Sequence, residues 1–364
     1  MTPEANHWAE KWKQIIGLPD FLPESVVAVL VLSLVYTLVV VPSGAAVNYL
    51  ARKVGADLQA RVGPNRVGPL GLLQPFADLV KLLQKQVDSK LGMNEKIWLG
   101  LHTMALYSTV AVLPLGSLLL LINTEMSAFL PFWASLVIAM GTMLLGLSQK
   151  SIPGWFGGIR AASQALAGAL PAIAALIAVG VRAGSFFWSD IADSQGAGIL
   201  AWGVFDSPFE PISFFCFLAS GLVVMGIAPF DGGLSVQDIH GGVSSHLHGT
   251  QLALFRLGRH YGFFLWATIT AVLFLGGWEV PDGVQAWLTE NTSGFAIQMV
   301  ESVLLLMKTF GLMIFVSILA RVTPRIRSDQ ITDLSWKVLS PLSLAALAGT
   351  AIWAFWTAKN GGSP

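Results

Sequence analysis

Four of the six histidines in this chain, His240, His246, His248 and His260, crowd into one stretch that includes HGGVSSHLHG. Histidine is the side chain that changes charge nearest neutral pH, so such a group could supply protons. His246 and His248 also have the spacing of metal ligands. Two spaced histidines without a third ligand are a weak signal, and no metal is expected. A second candidate is Lys308, an ammonium inside a long apolar run, with Glu301 two helical turns away on the same face. A charge at mid-bilayer costs roughly 2.5–3.5 kcal/mol or more to insert, which makes a passive snorkelling role less natural there. Its partner would be Glu301, reached through water, or a group on another subunit. A third candidate is the basic stretch RVGPNRVGPLGLLQPFADLVKLLQKQ, Arg61 to Gln86.

The elements that must position these groups are apolar. Hydrophobic residues make up 54% of the 364 and charged residues 12%, about half the usual charged share. A soluble domain could not hide that much apolar surface, so a membrane class follows. The expected fold is all-α, a single polytopic domain over 1–364 with eight apolar runs at 25–47, 99–122, 127–147, 162–181, 211–228, 261–278, 299–320 and 338–357. Residues 1–24 are charged and amphipathic (HWAEKWKQIIGL) and do not read as a cleaved signal. Net charge is zero, yet 16 of the 21 Lys/Arg lie in the connections 48–98, 148–160, 229–260 and 321–337. The positive-inside rule makes those connections cytoplasmic and puts both termini outside. The single cysteine, Cys216, rules out an intrachain disulfide and a cysteine-held iron–sulfur cluster within the chain.

In the basic stretch, Pro64 and Pro69 fix φ while Gly63, Gly68 and Gly71 permit positive φ or close backbone approach. Pro75 suits a first helical turn, so an amphipathic helix is expected over about 74–86. Phe76, Leu79, Val80 and Leu83 fall on one face, with Asp78, Lys81 and Lys85 on the other. Such a helix lies on lipid or forms a platform for a soluble partner.

These residues closely resemble the first cytoplasmic loop of the H-subunit family of bacterial NADH:quinone oxidoreductase (complex I), the counterpart of mitochondrial subunit 1. TPRIRSDQITDLSWKVLSPLSLA (Thr323 to Ala345), GGIRAASQ (Gly157 to Gln164), and APFD with ALF and FLGGW match in the same order. The resemblance implies a bacterial inner-membrane anchor with eight spans that docks the peripheral electron-transfer arm and walls a tunnel for the quinone substrate. It would be one subunit of a quinone-linked NADH dehydrogenase translocase, not catalytic alone, with flavin and iron–sulfur clusters in partner subunits. It would sit beside other membrane-arm subunits in the lipid bilayer and bind no nucleic acid. The family motifs put Arg52, Arg61, Phe230, Asp231 and Arg325 along the tunnel. Asn65, Arg66, Gln74, Asp78 and Lys81 fall on the docking loop, and Asp238, His240, His246 and Lys308 are candidates for proton handling. Lys53 and Arg327 also match basic positions of the motifs, while Arg321 sits one residue out of the family spacing.

Where the family carries acids, this chain often does not. Ala51, Gln86, Ala169 and Val224 stand at glutamate positions, and Ile227 replaces an arginine. In the third loop Asp231 and Asp238 remain, but Leu234, Val236, His246 and Arg259 occupy other acidic positions. A low-dielectric proton relay needs groups that hold and release protons, and alanine and valine do neither. No acid lies well inside the eight runs, Glu301 at the outer edge of the seventh coming closest, so the chain's own proton path is expected to be absent or rerouted. No Gly-x-Gly-x-x-Gly or phosphate loop is present, so the chain itself should bind no nicotinamide. Two neighbouring alternatives remain: the equivalent subunit of a membrane-bound hydrogenase-type relative, and a scaffold that has lost quinone turnover. A transporter fits poorly, since no internal repeat is found.

Overall fold

Long apolar stretches fold as helices because a helix satisfies every backbone N–H and C=O within itself. The computed structural model describes residues 24–85, 92–117, 123–196, 198–234, 239–280 and 294–360, and those residues form helices and turns with no strand. In chain order the helices are α1 (Glu24–Asp57), α2 (Gln74–Gln84), α3 (Met93–Val112), α4 (Leu130–Ser148), α5 (Ile152–Ala183) and α6 (Trp188–Asp193). After these come α7 (Gly203–Asp206), α8 (Glu210–Val224), α9 (Gly249–Phe274), α10 (Gly294–Val322) and α11 (Ser328–Lys359). All but the short α2, α6 and α7 overlie the apolar runs of the sequence. Four of them, α4, α5, α10 and α11, are long and apolar enough to cross a membrane by length and composition. The segment 1–24 lies outside the described residues except for Glu24, as do Gln86, Val236 and Asp238.

Several boundaries differ from the sequence reading. The first run does not stop at 47. α1 continues to Asp57 because Asn48–Asp57 contains no proline and its one glycine, Gly55, is tolerated, so Arg52 and Lys53 ride on a helix and not in a loop. α5 starts ten residues before the apolar run it contains, with Ser151 accepting the Gly154 N–H as N-cap. At 32 residues it is about 48 Å long and projects beyond what a bilayer requires. α8 ends at Val224, earlier than 228, and Gly226 follows at φ +58°. The third connection is shorter than 229–260, since α9 begins at Gly249 and carries Arg256, Arg259 and His260 on its first turns. The fourth is shorter than 321–337: helix resumes at Ser328 and passes through a π-helical turn, Ser335–Leu339.

α9 is the axis of the molecule, and from Tyr261 to Phe274 every residue is buried. It packs on α1 and α10, while α5 packs on α4, α8 and α11. Aromatic rings fill the space between α8 and α9: Phe217 lies 4.8 Å from Trp266 and 5.9 Å from Phe274. Each buried ring of this kind removes a large apolar area from water or lipid and adds edge or tilted stacking. α10 and α11 instead leave Met307, Phe315, Ile352, Phe355 and Trp356 exposed. A third of each apolar window is buried there, against 72% in α5. This is the surface a bilayer or a neighbouring membrane subunit would cover. The segment before α2, the connection from α4 to α5, the loop 225–248 and the start of α11 meet at one end of the bundle. There Gly232 approaches Ser328, and Gly146 and Gly157 pack against Val243.

Candidate functional site

The loop before α2 folds on itself. Leu73 N donates to Val67 O at 3.2 Å and Gly71 N to Gly68 O at 3.2 Å, while the Tyr49 hydroxyl of α1 donates to Leu70 O at 3.0 Å. Gly71 has φ +79°, and a Cβ there would lie 2.2 Å from Pro64 O, so the turn admits only glycine. This turn lays α2 across α1 and α9 and encloses a cavity of about 560 Å³.

α1 contributes Val41, Gly44, Ala45, Asn48 and Arg52 to its wall. α2 contributes Pro75, Phe76, Asp78, Leu79, Lys81 and Leu82, and α9 adds Ala253, Arg256, Leu257, Arg259 and His260. Polarity is graded along α1, from Val41 at the deep end to Arg52 about 16 Å nearer the loops. Gly44 lets α9 close in, since a Cβ there would lie 2.7 Å from Leu257 Cδ1 and 3.8 Å from His260 Cβ. His260 thus faces the small residues of α1 from a wall that α9 also lines with Arg256 and Arg259. Arg52 Nη1 donates to Asp78 Oδ2 at 2.5 Å, and Gln74 Nε2 donates to the other carboxylate oxygen at 3.0 Å. Both members of the Arg52–Asp78 pair are about 40% exposed, so the pair contributes at most about 1 kcal/mol. Asp78 therefore faces this cavity, where the sequence reading puts it on an outward docking face. Val80 and Leu83 are half exposed, and they carry the free apolar edge of α2.

A second cavity, about 670 Å³, lies under the loop and is lined by Arg52, Arg61, Asn65, Arg66, Gln74 and Arg321 with the Gly63–Pro64 backbone. Arg321 reaches it by donating to Ala51 O at 3.3 Å and by crossing Gly55, where a Cβ would meet its Nε at 2.8 Å. Arg52 borders both cavities.

The other residues read from the sequence are scattered. Phe230 is 8% exposed and belongs to the core, lining neither large cavity. Asp231, 7% exposed, pairs with Arg325 at 3.4 Å between the third loop and the start of α11. His240, at φ +50°, His246 and His248 are exposed, and no group of three metal-ligating side chains occurs among the described residues. Lys308 does not turn to Glu301, which instead accepts from the Ser117 hydroxyl. It donates to Gly276 O at 3.1 Å and Gly277 O at 2.9 Å, and lies 5.3 Å from the Trp202 ring centre. Both acceptors are carbonyls just past the C-terminus of α9, where a cation is favoured.

Sequence reasoning missed the α9 wall residues Arg256, Arg259 and His260, because they were counted as loop. It counts Glu210 only among the acids of the connection before α8, with no sign of its burial. The side chain is fully buried on the first turn of α8, and neither carboxylate oxygen meets a hydrogen-bond donor among the described residues. Arg182 stands near it, with Nη2 on Leu273 O at 3.2 Å and Nε and Nη1 without hydrogen-bond partners among the described residues.

A chain that is all-helical among the described residues, with apolar helices that leave lipid-grade surface outside and a half-polar cavity inside, is a membrane protein. The family model described as NADH dehydrogenase matches residues 29–351, and the chain belongs to that family, the complex I subunit 1 or H family. It is accordingly a membrane subunit of an oxidoreductase complex.

Proposed function

We propose that this chain anchors the peripheral arm of a complex I-type NADH:quinone oxidoreductase and walls the path of its quinone. The observation that carries the reading is the cavity between α1, α2 and α9, with Val41, Gly44, Ala45 and Leu257 around His260 at its deep end and Arg52, Asp78 and Lys81 near the loops. An isoprenoid tail needs an apolar wall, and a quinone headgroup needs a few convergent polar groups. The adjoining arginine-lined cavity under the loop 61–66 suits a partner surface bearing carboxylates. In this reading the eight long helices cross the inner membrane with their basic connections in the cytoplasm. Electrons travel in the partner subunits, which hold the flavin and iron–sulfur clusters.

The test uses the purified assembly. A photoreactive quinone should label peptides of α1 and α2, and Leu79→Trp, which fills the cavity, should abolish both the labelling and inhibitor-sensitive quinone reduction. Labelling elsewhere, with turnover unaffected by the tryptophan, would overturn the tunnel reading. Intact assembly without any quinone turnover would favour a scaffold, for which the replaced acids Ala169 and Val224 argue.

A further inference from the structure

The wall of the cavity between α1, α2 and α9 is out of charge balance. It holds four cations, Arg52, Lys81, Arg256 and Arg259, against one carboxylate, Asp78. Arg52 takes that carboxylate at 2.5 Å, and Gln74 donates to its other oxygen. Lys81, Arg256 and Arg259 form no ion pair among the described residues. Asp231, the acid whose charge reaches Arg259, already pairs with Arg325 at 3.4 Å. Water suffices for Lys81 and Arg256, which are exposed, but Arg259 Nε is buried with no hydrogen-bond partner among the described residues. Position 259 is also one where the family resemblance expects an acid, so the sign of the charge there is reversed.

Cations gathered in one wall repel each other, and a buried charge is kept where something compensates it. Arg256 and Arg259 stand three apart on α9, hence on one face, and Lys81 borders the same space from α2. The rest of the wall includes Val41 and Ala45 of α1, Leu79 and Leu82 of α2, and Leu257 of α9. The complement of such a wall is an amphiphile with a negative head and a hydrocarbon tail. At about 560 Å³ the cavity falls within the roughly 300–1,000 Å³ of small-molecule sites. The half-exposed Val80 and Leu83 on the outer edge of α2 suit a helix lying at a lipid surface. Basic pockets between membrane helices take acidic lipid headgroups, and the guanidinium fork matches a phosphate.

We infer that this cavity binds an anionic phospholipid, its phosphate held by Lys81, Arg256 and Arg259 and its acyl chains lying along Val41, Ala45, Leu79 and Leu257. The inference goes beyond the quinone reading and does not depend on it. A quinone headgroup is uncharged and calls for a few polar groups, not for three cations without counter-charge. Where both readings hold, lipid and quinone take turns in one cavity.

The test uses the purified assembly in lipid nanodiscs, without quinone. Phosphatidylglycerol and phosphatidylcholine probes carry the same photoreactive group on an acyl chain, and labelling of α1 and α2 peptides is read as the ratio of the two. The anionic probe should label several-fold more strongly. Arg256→Gln should lower the ratio about fivefold, the weight of one basic group beside an acidic lipid. Lys150→Gln, which removes an exposed cation outside the cavity, should leave the ratio unchanged. Equal labelling by the two probes, or a ratio indifferent to Arg256→Gln, would overturn the inference. So would loss of labelling in inorganic phosphate but not in chloride of equal ionic strength, which marks a free-anion site. Should Arg256→Gln fail to assemble, Lys81→Gln should lower the ratio by a similar factor, and no drop would refute the site. A photoreactive quinone that labels α1 and α2 where the anionic lipid does not counts against this inference alone. The reverse result counts against the quinone path alone.

Discussion

Lys308→Met should destabilise the protein by about 1.5–3 kcal/mol, the usual worth of charge-assisted hydrogen bonds, because two carbonyls beyond α9 lose their donor. Glu301→Gln should leave that loss unchanged, since the two side chains do not meet. Thermal unfolding of the two single variants and the double variant decides this. Glu210 and Arg182 make a second pair to dissect. Arg182→Met alone should cost about 3–5 kcal/mol by leaving a buried carboxylate uncompensated, and adding Glu210→Leu should recover most of it. A double variant as unstable as the single would mean that the two do not interact. Neither residue invites attention in the sequence, where Glu210 reads as the last acid of an outer connection. Its burial comes from α7 and α8 folding back over Arg182, where a Cβ at Gly203 would lie 1.7 Å from Nη1. Composition carries no trace of so close an approach.

At the scale of an element, the loop before α2 was legible and its exit was not. Glycine and proline positions forecast a shaped turn and a helix from Gln74, and the helix runs there to Gln84. The face it presents was misjudged because periodicity finds the apolar stripe but not what lies against it. Arg52, expected in a loop, continues α1 and draws Asp78 inward. Gly71→Ala should disorder this loop: positive φ costs an alanine about 1 kcal/mol or more, and the contact with Pro64 O adds to that. Limited proteolysis between Arg61 and Arg66 should accelerate at least several-fold, whereas Gly100→Ala, a glycine with nothing within 4 Å of its virtual Cβ, should leave the cleavage rate unaltered.

For the molecule as a whole, close backbone approach sets the relation between the loop end and the bundle. Gly146 of α4 meets the α5 backbone at Gly154 and Gly158, while Gly157 of α5 meets Gly233 and Gly242 of the third loop. Small residues four apart let helices touch, a packing that apolar solvent does not weaken. Gly158→Leu should therefore separate α4 from α5 and shift the third loop, lowering both thermal stability and the yield of assembled complex. An unaltered unfolding temperature would show that the two helices are held elsewhere. The order of apolar runs anticipated the helices that meet at this end of the bundle. The assignment of Arg256, Arg259 and His260 to a helix wall was not anticipated, because polar residues at a helix start look like loop in a hydropathy trace. A guanidinium shared by two chambers has one more consequence. Whatever draws Arg52 toward the arginine-lined side strips Asp78 of its counter-charge on the other, so occupants of the two voids must alter each other's affinity by one common factor, felt equally in both directions.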